Sequence, residues 1–266
     1  MNNINFNFRG KTVLITAGTK GIGFELTKSF LKLGANVATC SRNNKNLNNL
    51  SKKFKNFIIQ RKFLVFKHDL NQLGNEKLIV KKIEKFFNNK IDILINNSGG
   101  PPPKLILKTS DKDWSKAMNI NFFSALKFSK NVIPGMKSKK WGRIVNLTSL
   151  TAKEPSKRMI LSNVTRAAIS SFAKTLSLEV ENTGITVNTI LTGGCLTDRL
   201  MNLIKKQSKK NQINNQLKKL SRQVPVGNIA EPNEFIQTVL FLASNNSSYL
   251  NGVSIPVDGG ISKSIF

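Results

Sequence analysis

Lys11-Thr12-Val13-Leu14-Ile15-Thr16-Ala17-Gly18-Thr19-Lys20-Gly21-Ile22-Gly23 reads as a short buried strand running into a glycine-rich turn. Ile22, Leu26, Phe30 and Leu33 then recur at helical spacing, and Gly34 stands where a helix is commonly closed. A strand that enters a helix through such a turn aims free backbone N–H groups, and the positive end of the helix dipole, at one spot. That spot suits a pyrophosphate. Gly21 and Gly23 remove Cβ atoms where the backbone must approach a ligand or a neighbouring strand. A tight strand–helix connection can need glycine for its own sake, but the strand before and the helix after favour a dinucleotide site.

Outward from this stretch the chain alternates strands with helices. Strands are predicted at Asn36–Ser41, Lys62–Lys67, Ile91–Asn96, Arg143–Leu147, Ile185–Leu191 and Val253–Val257. Helices are predicted over a polar stretch ending at Asn56, and over Leu73–Phe87, Trp114–Met136, Met159–Glu181 and Pro232–Ala243. Leu196–Leu220, within a region of about 196–222, reads as a basic, mobile helical lobe. Asn97-Ser98-Gly99-Gly100-Pro101-Pro102-Pro103 must be a loop, because prolines cannot sit in a central strand. The pattern implies an α/β chain: a Rossmann-type, doubly wound parallel sheet of about seven strands in a single domain. No linker divides the 266 residues, and ligands in such sheets bind beyond the carboxyl ends of the strands.

The formal net charge is +28. Such a field favours nucleic acid, acidic proteins or phosphorylated ligands. The lysine pairs, from Lys52-Lys53 to Lys218-Lys219, are nevertheless dispersed, with no basic arm and no interleaved stacking aromatics. Solvated helix faces account for them, and no sequence-specific nucleic-acid binding is expected. Cys40 and Cys195 are too few for a disulfide framework, which points to a reducing, cytoplasmic setting. The N-terminus lacks an apolar signal-like run, and no apolar run reaches the roughly 18 residues of a membrane span.

Cofactor preference is read at the end of the second strand. An NAD site usually offers a carboxylate to the ribose 2′-OH about 20 residues past the turn. Here Ser41-Arg42 stands at that place, and there is no Asp or Glu between Glu25 and Asp69. Lys20 and Arg42 could both face a 2′-phosphate, with Ser41 donating a hydrogen bond, so NADP(H) is the expected dinucleotide. The competing reading is two ordinary surface cations in a basic protein. Asp69, followed by Leu70, ends the third strand where an adenine amino group could be bound. His68 is the only histidine, so no His-centred triad or multi-histidine metal site is available, and no metal is expected.

Taken together, these residues resemble a classical short-chain dehydrogenase/reductase from Lys11 to Gly260. Thr16 to Gly23 is similar to the family's Thr-Gly-x-x-x-Gly-x-Gly turn, with Ala17 where the first glycine is expected. Asn96-Asn97-Ser98-Gly99 resembles Asn-Asn-Ala-Gly. Asn121 falls on the family's proton-relay asparagine and Ser149 on the serine that bonds the substrate oxygen. Thr192-Gly193 stands where the family has Pro-Gly, before Thr197. The tail from Tyr249-Leu250-Asn251-Gly252 to Val257-Asp258-Gly259-Gly260 is similar to β-ketoacyl-ACP reductases. The resemblance implies a dinucleotide held by residues 17–23, Ser41, Arg42, Asp69, Leu70, Asn96, Ser98, Gly99, Arg166, Thr192, Gly193 and Thr197. It also implies a homo-oligomer, most simply a tetramer, pairing through the two long helices.

The catalytic pair departs from the family. Its Tyr-x-x-x-Lys begins thirteen positions beyond the serine, and from Ser149 that count reaches Ser162 and then Arg166. Tyr249 is the only tyrosine and already belongs to the tail motif. The pattern resembles a subgroup of β-ketoacyl reductase-like members with imperfect motifs. Arg166 keeps a positive charge able to bond ribose hydroxyls, whereas Ser162 is a weaker and shorter acid than tyrosine. Two functions stay open. One is an NADP(H)-dependent oxidoreductase on a carbonyl or acyl-thioester substrate, the latter carried on an acidic carrier protein. The other is a catalytically impaired protein that binds NADP(H) or a metabolite. Substrate contacts are expected from Gly100–Leu105, Leu150–Met159 and the Leu196–Leu220 lobe.

Overall fold

A computed structural model describes residues 6–207 and 212–265. Seven strands form one sheet in the order β3-β2-β1-β4-β5-β6-β7, all pairs parallel. They are β1 (Thr12–Ile15), β2 (Asn36–Ser41), β3 (Phe63–Lys67), β4 (Ile93–Asn96), β5 (Gly142–Leu147), β6 (Ile185–Thr192) and β7 (Ser254–Val257). The expected fold class stands. Every side chain of β1, β4 and β5 is buried, as a sheet covered on both faces requires.

The helices are α1 (Gly21–Lys32), α2 (Asn44–Lys53), α3 (Lys55–Ile59), α4 (Glu76–Phe87), α5 (Asp111–Met118), α6 (Ser124–Ser138), α7 (Ile160–Glu179), α8 (Asp198–Gln207), α9 (Ile213–Ser221) and α10 (Pro232–Leu242). Alternate residues along the central strands feed two cores. Val13, Ile15, Ile93 and Val145 pack with Leu26 and Phe30 of α1 and Val239 of α10. Leu14, Leu94 and Ile144 pack with Ile83, Phe128 and Ala173 of α4, α6 and α7. That period-2 alternation places helices on both faces. β1 lies between β2 and β4, so the strand order reverses there and a crevice opens beyond the strand ends.

The predicted helices are refined in particular places. The polar stretch after β2 is two helices, broken where Phe54 turns inward to meet Phe63 at 5.7 Å between ring centroids. The expected Trp114–Met136 helix begins earlier, at Asp111, because Ser110 and Asp113 form a reciprocal capping box. It is then interrupted by a π-helical turn at Asn119–Phe123 before α6 carries it to Ser138. The Leu196–Leu220 lobe is two helices, α8 and α9, and its residues 208–211 lie outside the described residues. The C-terminal segment returns to the crevice, where Glu154 accepts hydrogen bonds from Ser262 Oγ (2.6 Å), Lys263 N (2.7 Å) and Ser264 N (2.7 Å).

Candidate active site

The turn after β1 leaves no room for side chains at its centre. A Cβ on Gly18 would collide with Thr39, whose Oγ1 accepts from Gly18 N at 3.0 Å, and Thr27 Oγ1 donates to Gly18 O at 3.1 Å. A Cβ on Gly23 would lie 2.5 Å from Asn97 Nδ2 and 2.7 Å from Ala17 O. Ala17, standing for the family's glycine, has φ +50°, a left-handed conformation that costs roughly 1–2 kcal/mol with a side chain. Gly21 takes φ +54° without that cost. The first turn of α1 carries no acidic residue and no side-chain cap, so its N–H groups stay available to an anion. The cradle fits a pyrophosphate.

Across the mouth of this turn stands the start of α8. Thr197 packs over Gly21, 3.2 Å from where a Cβ would project, and Lys20 Nζ lies 3.5 Å from Asp198. Arg42 and Lys20 are exposed at the end of β2 and in the turn. Ser41 Oγ accepts from Asn43 N at 3.2 Å, leaving its O–H free to donate. Asp69 Oδ1 accepts from Asn71 N at 3.0 Å, next to the buried Leu70. His68 is buried edge-on to Phe128. Its pKa is held below the ordinary value by burial, against which Glu76 and Asp69 act in the opposite direction.

The ends of β4, β5 and β6 supply the rest. Asn97 locks β4 to β1: its N–H donates to Thr16 Oγ1 at 2.9 Å and its Nδ2 to Thr16 O and Ala17 O, each at 3.1 Å. Asn96 Nδ2 donates to Asn146 Oδ1 at 2.8 Å, tying β4 to β5. Ser98 Oγ donates to Asn121 Oδ1 at 2.9 Å, a bond that the family's alanine could not make. Asn121 sits in the π-helical turn, buried, with Nδ2 bonded to Ala117 O at 3.1 Å. Gly99 faces open space, whereas a Cβ on Gly100 would strike the Arg199 guanidinium at 2.5 Å. At the end of β6, Thr192 Oγ1 donates to Thr148 O at 2.8 Å and Gly193 N to Val257 O at 2.9 Å.

Ser149 and Ser162 are brought together, though not into direct contact. Thr151 N donates to Ser149 Oγ at 3.3 Å, and Thr151 Oγ1 lies 3.2 Å from Ser162 Oγ. Thr151 therefore joins the site, on no signal in the motif spacing. Ser162 is 4% exposed, and one turn along α7 Arg166 is 6% exposed. The expectation that Arg166 bonds ribose hydroxyls meets a different set of partners. Its Nη1 donates to Leu147 O at 2.9 Å and its Nη2 to Ser98 O at 3.4 Å, while Nε is buried and unpaired. Burial, reinforced by the nearby Arg199 charge, pushes its pKa down to about 10. A guanidinium with that pKa remains charged at neutral pH. Arg199, also outside the motif reading, donates to Gly100 O and, at 3.0 Å, to Pro101 O.

The short chain dehydrogenase family profile matches residues 11–208. A 3-oxoacyl-[acyl-carrier-protein] reductase from Rickettsia typhi is 31% identical over 96% of the chain and 98% of its own length. Among solved structures, L-sorbose reductase from Gluconobacter frateurii, complexed with NADPH and L-sorbose, superposes with a TM-score of 0.92 at 26% identity. That match covers 98% of this chain and 100% of the other. An NADPH-bound short chain oxidoreductase from Pseudomonas aeruginosa, described as containing an atypical catalytic center, matches with a TM-score of 0.87 at 25% identity. It covers 97% of this chain and 99% of its own.

Proposed function

The chain belongs to the short chain dehydrogenase family, and on that footing we propose an NADP(H)-dependent oxidoreductase acting on a carbonyl/alcohol pair. The observation that carries this reading is the cluster of Ser149, Thr151 and Ser162 beside the buried Arg166, beyond the end of β5, in which the Thr151 main-chain N–H meets Ser149 Oγ and the Thr151 hydroxyl meets Ser162 Oγ. Bound in the crevice, the nicotinamide supplies or takes up a hydride. The chain's residues do the rest. The turn 17–23 receives the pyrophosphate, and Ser41, Arg42 and Lys20 receive the 2′-phosphate. Asp69 and Leu70 flank the adenine, while Asn96, Ser98, Gly99, Thr192, Gly193 and Thr197 line the nicotinamide end.

Ser149 Oγ accepts from Thr151 N, so its own proton is free for the substrate oxygen. Behind it, the Thr151 and Ser162 hydroxyls share a hydrogen bond in the wall of the crevice. Arg166 lends fixed positive charge to a developing alkoxide, and Asn121 steadies the floor through Ser98. A 3-oxoacyl thioester is the substrate suggested by the relatives' names, and a +28 surface would favour an acidic carrier. The setting proposed is cytoplasmic; Cys40 and Cys195 are both free. Reduction of a reactive dicarbonyl and of a 3-oxoacyl thioester, followed by NADPH fluorescence, tests the reading. Turnover is expected, and Ser149→Ala should lower it about 10²-fold, as loss of an oxyanion donor does. An unchanged rate in that variant would remove Ser149 from the chemistry.

A second reading draws on the main-chain partners of Arg166, which occupy the guanidinium that a ribose would need. On that reading the chain binds NADP(H) or a metabolite without turnover. Absence of reduction with every carbonyl, alongside NADPH binding, would favour it.

The assembly proposed is a homotetramer pairing through α5–α6 and α7, which leave Phe123 and Val164 38% and 44% exposed. Light scattering at micromolar concentration should exceed the 29.6 kDa of one chain. A monomer there would contradict it.

A further inference from the structure

Two guanidinium groups border the Ser98–Pro101 segment at the mouth of the crevice. Arg166 donates to Ser98 O from the wall, and Arg199 donates to Gly100 O and Pro101 O from α8. They are near enough for the charge of Arg199 to be felt at Arg166. Among the described residues, neither forms an ion pair with a carboxylate. The acids around the crevice are engaged elsewhere. Asp198 faces Lys20, and Glu154 holds the C-terminal segment. Asp113 holds Lys104 and caps α5, and Asp258 closes its own turn through Gly260 N and Ser262 N.

Arg166, 6% exposed with an unpaired Nε, has little solvent to screen it from the positive charge of Arg199. A nearby anion removes that penalty. On the reading above, a bound dinucleotide cannot provide it, because its phosphates lie at the glycine turn and at Arg42, and its nicotinamide end carries no negative group. Along this loop Pro101, Pro102 and Pro103 have no N–H to offer an anion. Its carbonyls do something else. They fix the Arg199 fork in one orientation while the side chain stays open to solvent, so its remaining N–H groups are presented ready-aligned.

We propose that the substrate is a small oxo acid whose free carboxylate docks on Arg199, with its carbonyl oxygen directed to Ser149. This rests on the oxidoreductase reading and narrows it. In the reduction, the C=O π bond opens, the carbon gains a hydride from NADPH and the oxygen gains a proton. A hydroxy acid and NADP⁺ result. A thioester carrier substrate lacks the free carboxylate and would leave Arg199 without its ligand.

The test compares acetoacetate with its methyl ester as substrates for the intact protein and for Arg199→Met and Arg199→Lys. The unaltered protein is expected to prefer the acid in kcat/KM. Arg199→Met should lower the acid-to-ester ratio at least tenfold, and Arg199→Lys should keep part of the preference, because it retains charge without the planar fork. If Arg199 is only a strut between α8 and the loop, both substrates fall together and the ratio does not move, which overturns the proposal. An intact protein that prefers the ester overturns it without any variant. A second arm titrates butyrate, an unreactive carboxylate, into the protein with and without NADPH by ligand-observed NMR. Binding should weaken at least tenfold in Arg199→Met. Should neither substrate turn over, the oxidoreductase reading fails while butyrate still decides this one: equal binding to both proteins would end it.

Discussion

NADPH is expected to bind at least tenfold more tightly than NADH, and Arg42→Asp should erase or invert that preference. The crevice beside β2 offers positive charge, and the strand itself ends without a carboxylate. Ser41 and Arg42 end the strand, Lys20 rises from the turn, and the nearest acid on the chain after Glu25 is Asp69. A hydrogen bond to a charged group contributes about 1.5–3 kcal/mol, and each 1.4 kcal/mol is tenfold in affinity, so one well-placed arginine suffices for the factor. Lys20 acts more weakly. It already faces Asp198 at 3.5 Å with both side chains largely exposed, an arrangement in which a pair is worth little, so a 2′-phosphate displaces Asp198 cheaply. Isothermal titration with both dinucleotides checks the expectation, and the NADPH advantage should shrink as salt rises. Equal affinities, or an Arg42→Asp protein that still prefers NADPH, would refute the assignment of Arg42.

The parts of the molecule that the sequence announces are those set by local pattern. β1, the glycine turn and α1 are decided by an apolar run, by positions without Cβ and by helical spacing, and the structure realises each of them. Ser162 and Arg166 are reached by the family's count from Ser149, and α7 fixes only the one-turn spacing between the two. Thr151 and Arg199 are not reached by counting. Thr151 meets Ser162 only because a 3₁₀ turn at Leu150–Ala152 folds back against α7. Arg199 meets Gly100 across 99 positions of sequence. No periodicity carries contacts of that kind. The same limit applies to the buried state of Arg166. A permanent cation reads as surface in a chain this basic, yet two main-chain carbonyls draw its head into the wall. The start of α5 is set locally by Ser110 with Asp113 three positions on, a reciprocal cap that the apolar spacing from Trp114 does not carry.

Restoring the family pair, Ser162→Tyr with Arg166→Lys, is expected to raise the reduction of a reactive ketone by about 10²-fold, within the range that general acid catalysis supplies. At position 162 on the first turns of α7, a phenol would replace the Ser162 hydroxyl that now meets Thr151, and its greater length would carry the acidic proton toward Ser149. Tyrosine titrates near 10 when unperturbed, far closer to working pH than a serine hydroxyl, so the gain comes from proton delivery. Arg166→Lys has a cost. One ammonium cannot reproduce the fork that now spans Leu147 O and Ser98 O, so the single variant should melt earlier than the starting protein. Freed from those carbonyls, however, the ammonium is able to reach ribose hydroxyls and lower the phenol pKa. Ser162→Tyr alone should therefore gain less than the double variant. Steady-state rates, with NADPH affinity measured in parallel, separate the outcomes. A double variant that binds NADPH and still reduces nothing would mean that the crevice is unsuited to hydride transfer. The binding-protein reading would then replace the enzymatic one.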